Sequence, residues 1–293
     1  MNILVTGSTG TIGSLVVRGL VAQDASVHAL TRNPGNASFP AGVRAVKGDM
    51  TDIPSMRAAL KGVDTLFLLN AVVADEVTQA IGTLSLAREA GIERIVYLSV
   101  LSSDTYTDVP HFTSKYAVER MIEQFDLPVT VLRPSYFMQN DAMLRDSLVE
   151  HGRYSMPIGD VGVAMVDARD IAEIAVASLL RRAHAQTPLP REVIEIVGPD
   201  VLTGDALATI WSGLLGKPVS YGGSDLDAYE GFMAGVMPSW LAHDLRLMLA
   251  RFHADGMPGK PHAAGIVSGL LGHSPRAYRD FAAELAKTWQ EKN

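Results

Sequence analysis

The stretch Asn2-Ile3-Leu4-Val5-Thr6-Gly7-Ser8-Thr9-Gly10-Thr11-Ile12-Gly13 decides the fold. Its apolar opening reads as a buried strand, and the glycine-rich turn leads into an amphipathic run, Thr11 to Gln23, that reads as a helix. Gly7 permits a tight turn, Gly10 lets backbone approach a pyrophosphate, and Gly13 lets helix and strand pack closely. The unpaired amides at the start of that helix favour phosphates, so Ser8, Thr9, Thr11 and Ile12 join the three glycines as candidate dinucleotide contacts. An ordinary glycine turn is the alternative, and the strand-before, helix-after context argues against it. A Walker A loop is excluded because no Gly-Lys-Ser or Gly-Lys-Thr follows.

Working outward, short apolar runs alternate with longer amphipathic ones through the first half. Strands are expected at 2–6, 26–31, 43–47, 65–69, 94–99 and 129–133, and helices near 11–23, 53–60, 75–90 and 112–125. Runs such as Leu66-Phe67-Leu68-Leu69 are apolar on both faces, as strands covered by helices on both sides must be. The fold class is therefore α/β, a doubly wound parallel-sheet Rossmann fold. The second half predicts helices near 141–150, 169–182, 204–215 and 275–291, with short strands at 164–166, 193–197 and 219–221, some of which add to the main sheet. The expected division is a nucleotide-binding domain over 1–155, and over 156–293 a region that completes the sheet and forms a smaller, mainly helical substrate lobe. Methionines in 224–259 suit a small helical lobe, as pliable core or as ligand contacts.

Composition narrows the function. With 47% hydrophobic and 19% charged residues among 293, the chain has the profile of a globular protein with a sizeable core. A formal charge of −7 gives phosphate backbones nothing to attract, so direct nucleic-acid binding is not expected. The absence of cysteine removes disulfides, thiolate catalysis and thiolate-ligated metals, and the eight histidines show no HxH or HExxH spacing, so no metal is expected. No apolar stretch has the length of a membrane span and the N-terminus lacks a signal-peptide pattern, so the chain reads as cytoplasmic and unprocessed.

An acidic residue at the end of the second strand selects NAD by accepting the ribose hydroxyls, roughly 20 residues beyond the glycine motif. Here Thr31 and Arg32 stand at that point, Arg32 lying 19 residues after Gly13. A cation pairs instead with a 2′-phosphate, which predicts NADPH over NADH; a surface arginine before the Asn33-Pro34 turn is the alternative. After the third strand, Asp49 is placed to receive the adenine amino group and Met50 to pack on the ring, with a purely local turn role equally open for Asp49. Asp52 reads as the N-cap of the helix that begins through Pro54.

Taken in order, TGSTGTIG, LTRNP, GDMTD, HFTSK at 111–115, VLRPSYFMQN at 131–140, VDARDIAEIA and GPDVLTGDALATI resemble the NmrA-like group of atypical short-chain dehydrogenases/reductases over nearly the whole chain. That group includes NADPH-dependent quinone reductases, reducers of azo and triphenylmethane dyes, plant isoflavone and lignan reductases, and catalytically silent redox sensors. The resemblance implies that Lys115 binds the nicotinamide ribose hydroxyls and that His111, four residues before it, orients substrate or relays a proton. Lys115 paired with Glu119 as a surface brace, and His111 as a structural residue, are the alternatives. The resemblance also sets Asn70, Ala71 and Ser99 to Ser102 as the floor under the nicotinamide, Pro134 and Ser135 beside its amide, and Tyr136, Phe137 and Met138 as an aromatic wall. Phe137 counts as both a cofactor and a substrate contact. Met233, Met237 and Trp240 are positioned to roof a planar acceptor, with core packing as the alternative. Asn140 reads as a helix cap, and Asp170 as a charge at the start of an apolar helix.

Ordinary members of the wider superfamily pair a Tyr with a Lys four residues later, yet none of the seven lysines here has such a Tyr. Reduction of an aliphatic ketone, which develops a basic alkoxide, is therefore disfavoured. The expected reaction is direct hydride transfer from NADPH, without flavin, to an electron-poor conjugated small molecule such as a quinone, an azo compound or a dye. The alternatives are a reductase of a specific phenolic metabolite, or an NAD(P)-sensing regulator that acts through a protein partner.

Overall fold

The alternation of apolar runs and amphipathic segments becomes a sheet flanked by helices in the computed structural model, which describes residues 1–291. The strands are β1 (Asn2–Val5), β2 (Ser26–Thr31), β3 (Arg44–Lys47), β4 (Thr65–Leu68), β5 (Arg94–Leu98), β6 (Val129–Pro134), β7 (Arg153–Tyr154), β8 (Glu192–Ile196) and β9 (Ser220–Tyr221). The helices are α1 (Thr11–Val21), α2 (Ile53–Leu60), α3 (Glu76–Glu89), α4 (Pro110–Gln124), α5 (Arg145–Val149), α6 (Ala168–His184), α7 (Gly204–Leu215), α8 (Leu226–Met233), α9 (Ser239–Asp255), α10 (Ala263–Leu271) and α11 (Tyr278–Gln290). The main sheet has the order β3-β2-β1-β4-β5-β6-β8, and each pair from β3 through to β6 is parallel. The fold class is thus the doubly wound one. Strand order reverses between β1 and β4, and at such a switch point the connections leaving the carboxyl ends of the strands frame a crevice. The glycine turn leaves β1 there, and Leu69-Asn70 leave β4.

The described residues form two units, interleaved in sequence. The first comprises Met1–Ser103, Thr113–Arg133 and Ala168–Ile194, and its core joins Leu4, Leu66, Leu68, Ile95 and Val129 to Met56, Leu84 and Ile122 on the helices. Asp52 caps α2 as its sequence predicts, its side chain accepting the Ser55 N–H at 3.2 Å. The second comprises Asp104–Phe112, Pro134–Asp167 and Glu195–Asn293, so the expected division after residue 155 falls inside it. It is built around buried aromatics: Trp211 stacks on Trp289 at 5.2 Å and donates its indole N–H to the Tyr278 hydroxyl at 2.9 Å.

Several expectations for the second half change. Residues 164–166 form no strand: the only bridge within them is the isolated one of Val166 with Phe137, and Val163 just before makes isolated bridges with Leu202 and Met257. Glycines at 159 and 162, both with positive φ, bend the chain just before them, so no ladder propagates. β9 pairs with β7 in a separate two-stranded sheet, and only β8 extends the main one. The helix expected at 141–150 is a 3₁₀ run, Met138–Leu144, followed by the short α5, and Asn140 lies inside that run instead of capping it. Among the described residues no helix is long and apolar enough to cross a membrane.

Candidate active site

In the first unit the turn after β1 is fixed by side chain and backbone together. The Thr6 hydroxyl donates to the Leu69 carbonyl at 2.8 Å and accepts the Leu69 N–H at 2.8 Å, tying the ends of β1 and β4. Gly7 takes φ +58°, the left-handed conformation that glycine adopts without strain. At Gly13 a Cβ would fall 2.1 Å from the Gly7 carbonyl oxygen, so only glycine lets α1 close on the turn. Ser8 is buried with its hydroxyl on the Leu30 carbonyl at 2.7 Å, and Ile12 is buried in the core. Thr9, Gly10 and Thr11 face solvent. The N-cap of α1 is Gly10, no side chain caps it, and its first turn holds no acidic residue. Its amides therefore remain open to an anion.

Beyond β2, Arg32 is exposed and acts electrostatically on Asp49. The Asp49 carboxyl accepts the Thr51 N–H at 2.9 Å and hydroxyl at 2.7 Å, and these bonds, with Arg32 contributing least, hold it below the usual carboxylate range. Asp49 thus does have the local turn role. Met50 packs partly buried against the unit's core. Beside the glycine turn opens a cleft of about 230 Å³ whose walls include Ser8, Thr9, Ser14, Arg18, Asn36 and Ser38. Arg18 is the cation in that lining, one helical turn beyond Ser14.

Lys115, on α4, is 7% exposed and its Nζ donates to Glu76 Oε1 at 2.7 Å. The alternative pair with Glu119 does not form. Glu119 instead takes Arg133 and the hydroxyls of Ser99 and Ser103, all buried, so the Ser99 hydroxyl is engaged there. Glu76 stands in the first turn of α3, where the helix dipole favours a carboxylate. The Asn70 amide donates to the Glu76 carbonyl at 3.4 Å, while Asn70 Oδ1 and Glu76 Oε2 are buried without a hydrogen-bond partner. Such orphaned acceptors are costly unless a bound molecule supplies the donors. Ala71 is exposed.

In the second unit, Pro134 and Ser135 are buried, and Ser135 donates its N–H to the Ile196 carbonyl at 2.9 Å while its hydroxyl has no partner. Tyr136 and Met138 are buried and Phe137 is half-buried. Tyr136 meets Phe252 edge to face at 5.8 Å, and burial pushes its phenol well above the usual range. Met233 is buried, Met237 half-buried and Trp240 39% exposed; Phe232 and Val236 on the same stretch are exposed too. His111 Nδ1 pairs with Asp244 Oδ2, and the His111 N–H donates to Asp244 Oδ1 at 2.9 Å. Asp244, on α9, is completely buried.

A model of the NmrA-like family matches residues 1–259. The chain belongs to the NmrA-like family. It is 31% identical over 285 residues to an NAD(P)H azoreductase of Xenophilus azovorans, covering 96% of each chain. Its structure superposes on that of an NADPH-dependent quinone oxidoreductase of Escherichia coli complexed with NADPH, with TM-score 0.85 and 25% identity over 97% of this chain and 99% of the other. A triphenylmethane reductase of Citrobacter sp. has the same fold, with TM-score 0.85 and 23% identity over 98% of this chain and 100% of that one.

Three residues of this NmrA-like chain escape a reading of the sequence. Glu76 lies 39 residues before Lys115 and Asp244 lies 133 after His111, and no motif links either pair. Arg18 has only its helical spacing from Ser14 to distinguish it from any surface arginine.

Proposed function

We propose that this NmrA-like chain is an NADPH-dependent, flavin-free oxidoreductase acting on electron-poor conjugated small molecules: quinones, azo compounds and dyes. The observation that carries the reading is that both basic side chains of the HFTSK segment are anchored by buried carboxylates, Lys115 by Glu76 and His111 by Asp244. Lys, Glu and Asp are almost never buried unless paired, and removing them from water is costly, so each of these buried pairs has a use beyond stability.

When bound, NADPH supplies the hydride. The glycine turn and the open amides of α1 hold its pyrophosphate, and Arg32 pairs with the 2′-phosphate. Lys115 donates to the nicotinamide ribose hydroxyls, and the orphaned Asn70 Oδ1 and Glu76 Oε2 accept from them. The unpartnered Ser135 hydroxyl takes the carboxamide. Tyr136, Phe137, Met237 and Trp240 present apolar surface to a planar acceptor and exclude water. His111 moves the proton. The lack of a Tyr four residues before Lys115 matches acceptors whose reduced forms are weaker bases than an alkoxide.

The test is stopped-flow loss of NADPH absorbance against a benzoquinone, a naphthoquinone, an azo dye and a triphenylmethane dye, for the wild type and Lys115→Ala. Saturable oxidation that collapses in the variant is expected. NADPH binding without turnover on any acceptor would refute the reading and point to a nucleotide-responsive binding protein.

A further inference from the structure

We propose that Asp244 is the positioning residue that makes His111 a proton donor, and that the pair acts selectively, on acceptors whose reduction consumes a proton. The inference rests on the reading above and deepens it. Asp244 holds His111 at two points, Oδ1 on the main-chain N–H and Oδ2 on Nδ1, so backbone and ring are fixed together. The His111 side chain is 10% exposed and that of Asp244 0%. The ring also lies edge-on to Phe112, with centroids 4.6 Å apart and planes at 71°. Two further ties bind the same segment to α9 and its end: Arg251 donates to Asp108 at 2.7 Å, and the Tyr106 hydroxyl donates to the Gly256 carbonyl.

An ionised carboxylate only accepts, so the proton between the two residues sits on Nδ1. Nε2 is then the atom free to take a proton from water and pass it on. Fixing the tautomer in this way is what a buried carboxylate contributes to a catalytic imidazole.

The acceptors named above differ in proton demand. A triarylmethyl cation takes hydride at carbon, forms a C–H bond and becomes a neutral leuco dye while NADPH becomes NADP⁺; no proton enters. An azo group takes hydride at one nitrogen, and the other nitrogen, now a strongly basic anion, takes one proton to give the hydrazine. A quinone likewise takes hydride and one proton, but its hydroquinone anion is weakly basic enough for water to serve. Dependence on the pair therefore falls in the order azo compound, quinone, cationic dye.

The experiment compares the wild type with Asp244→Asn on an azo dye and a cationic triphenylmethane dye. The ratio of kcat on the azo dye to kcat on the cationic dye is expected to fall by roughly 10- to 100-fold, at or below the lower end of the roughly 10²- to 10⁴-fold that a general acid contributes, because the imidazole itself remains. The second readout needs neither turnover nor cofactor: ¹⁵N shifts of the His111 ring should report the Nδ1–H tautomer in the wild type. In Asp244→Asn that preference should be lost, because an amide puts an NH2 donor in place of one of the two oxygens, so one of the two His111 N–H groups loses its acceptor. His111→Gln, which keeps the main-chain bond, gives the same ratio test should Asp244→Asn fail to fold. Equal losses on both dyes, no loss on either, or an Nε2–H wild-type tautomer would overturn the proposal. A wild type inactive on every acceptor would instead overturn the reductase reading, and the tautomer would still decide the role of Asp244.

Discussion

Asp141 offers a test of the second unit's core, because its carboxyl is wholly buried. The Tyr154 and Tyr278 hydroxyls both donate to Oδ2, at 2.9 Å and 2.5 Å, while Oδ1 is buried without a partner. Burial raises the carboxyl from 3.8 to about 7, against the lowering effect of the two hydroxyls. The folded protein thus keeps this proton to near neutrality, whereas the unfolded chain releases it near 3.8. Between those values the folded state binds more protons, so its stability falls as pH rises. The contribution is fully present below the unfolded value and gone above the folded one. About three pH units at about 1.4 kcal/mol each amount to roughly 4 kcal/mol, of which roughly 3 falls between about pH 5 and about pH 8. Asp141→Asn keeps the shape and cannot ionise. Urea unfolding of both proteins at the two pH values should show the variant gaining roughly 3 kcal/mol on the wild type from the lower to the higher pH. A difference that does not change with pH would refute the reasoning, since it would mean that Asp141 titrates alike folded and unfolded.

Gly13→Ala forces the Gly7 carbonyl to move by about 1 Å to relieve the 2.1 Å contact; NADPH affinity measured by cofactor fluorescence should fall at least about tenfold, with a lower melting temperature. Arg32→Ala should lower the ratio of NADPH to NADH affinity by about tenfold, and Arg18→Ala by less, since Arg18 lies on α1 and not at the end of β2; an unchanged ratio in both variants, read by calorimetry, would remove the cations from cofactor selection. Glu76→Gln leaves a buried ammonium and Lys115→Met a buried carboxylate, so each should destabilise by about 3 kcal/mol, while the double variant should cost well below their sum in denaturant unfolding.

How much of this was legible in the sequence depends on the range over which the physics acts. The strands and helices of the first half follow from local pattern: β2 and α2 have the bounds their hydrophobic periodicity predicts, and the Asp52 cap follows from one residue and the proline two places on. The Gly13 contact is also local, closing on Gly7 six residues earlier. What the pattern could not give is long-range pairing. Residues 164–166 look like a strand because they are apolar, but they are apolar through burial, with bends before them that prevent a ladder. Lys115 four residues before Glu119 looks like a helical ion pair, yet each found a different buried partner, Glu76 from α3 and Arg133 from β6. A spacing rule ranks neighbours on one helix and is blind to groups that the sheet brings up from elsewhere.

Hydrogen-bond satisfaction separates buried carboxylates that hold the structure from those left ready for a ligand. Glu119 is surrounded by donors, with the Arg133 guanidinium reaching both oxygens and two serine hydroxyls adding to Oε1. Nothing is left over for a ligand, and its role is to lock α4 onto β5 and β6. Glu76 has one oxygen on Lys115 and the other buried without a donor, beside an Asn70 whose own oxygen is equally unserved. An unsatisfied ionised oxygen at that depth is unfavourable by more than a neutral one, so the first unit holds an unmet demand for hydroxyl donors next to its buried lysine. Asp244 differs again, both oxygens being used and both on His111. One oxygen fixes the backbone of that residue and the other aims its imidazole, which is why altering it should redirect proton transfer.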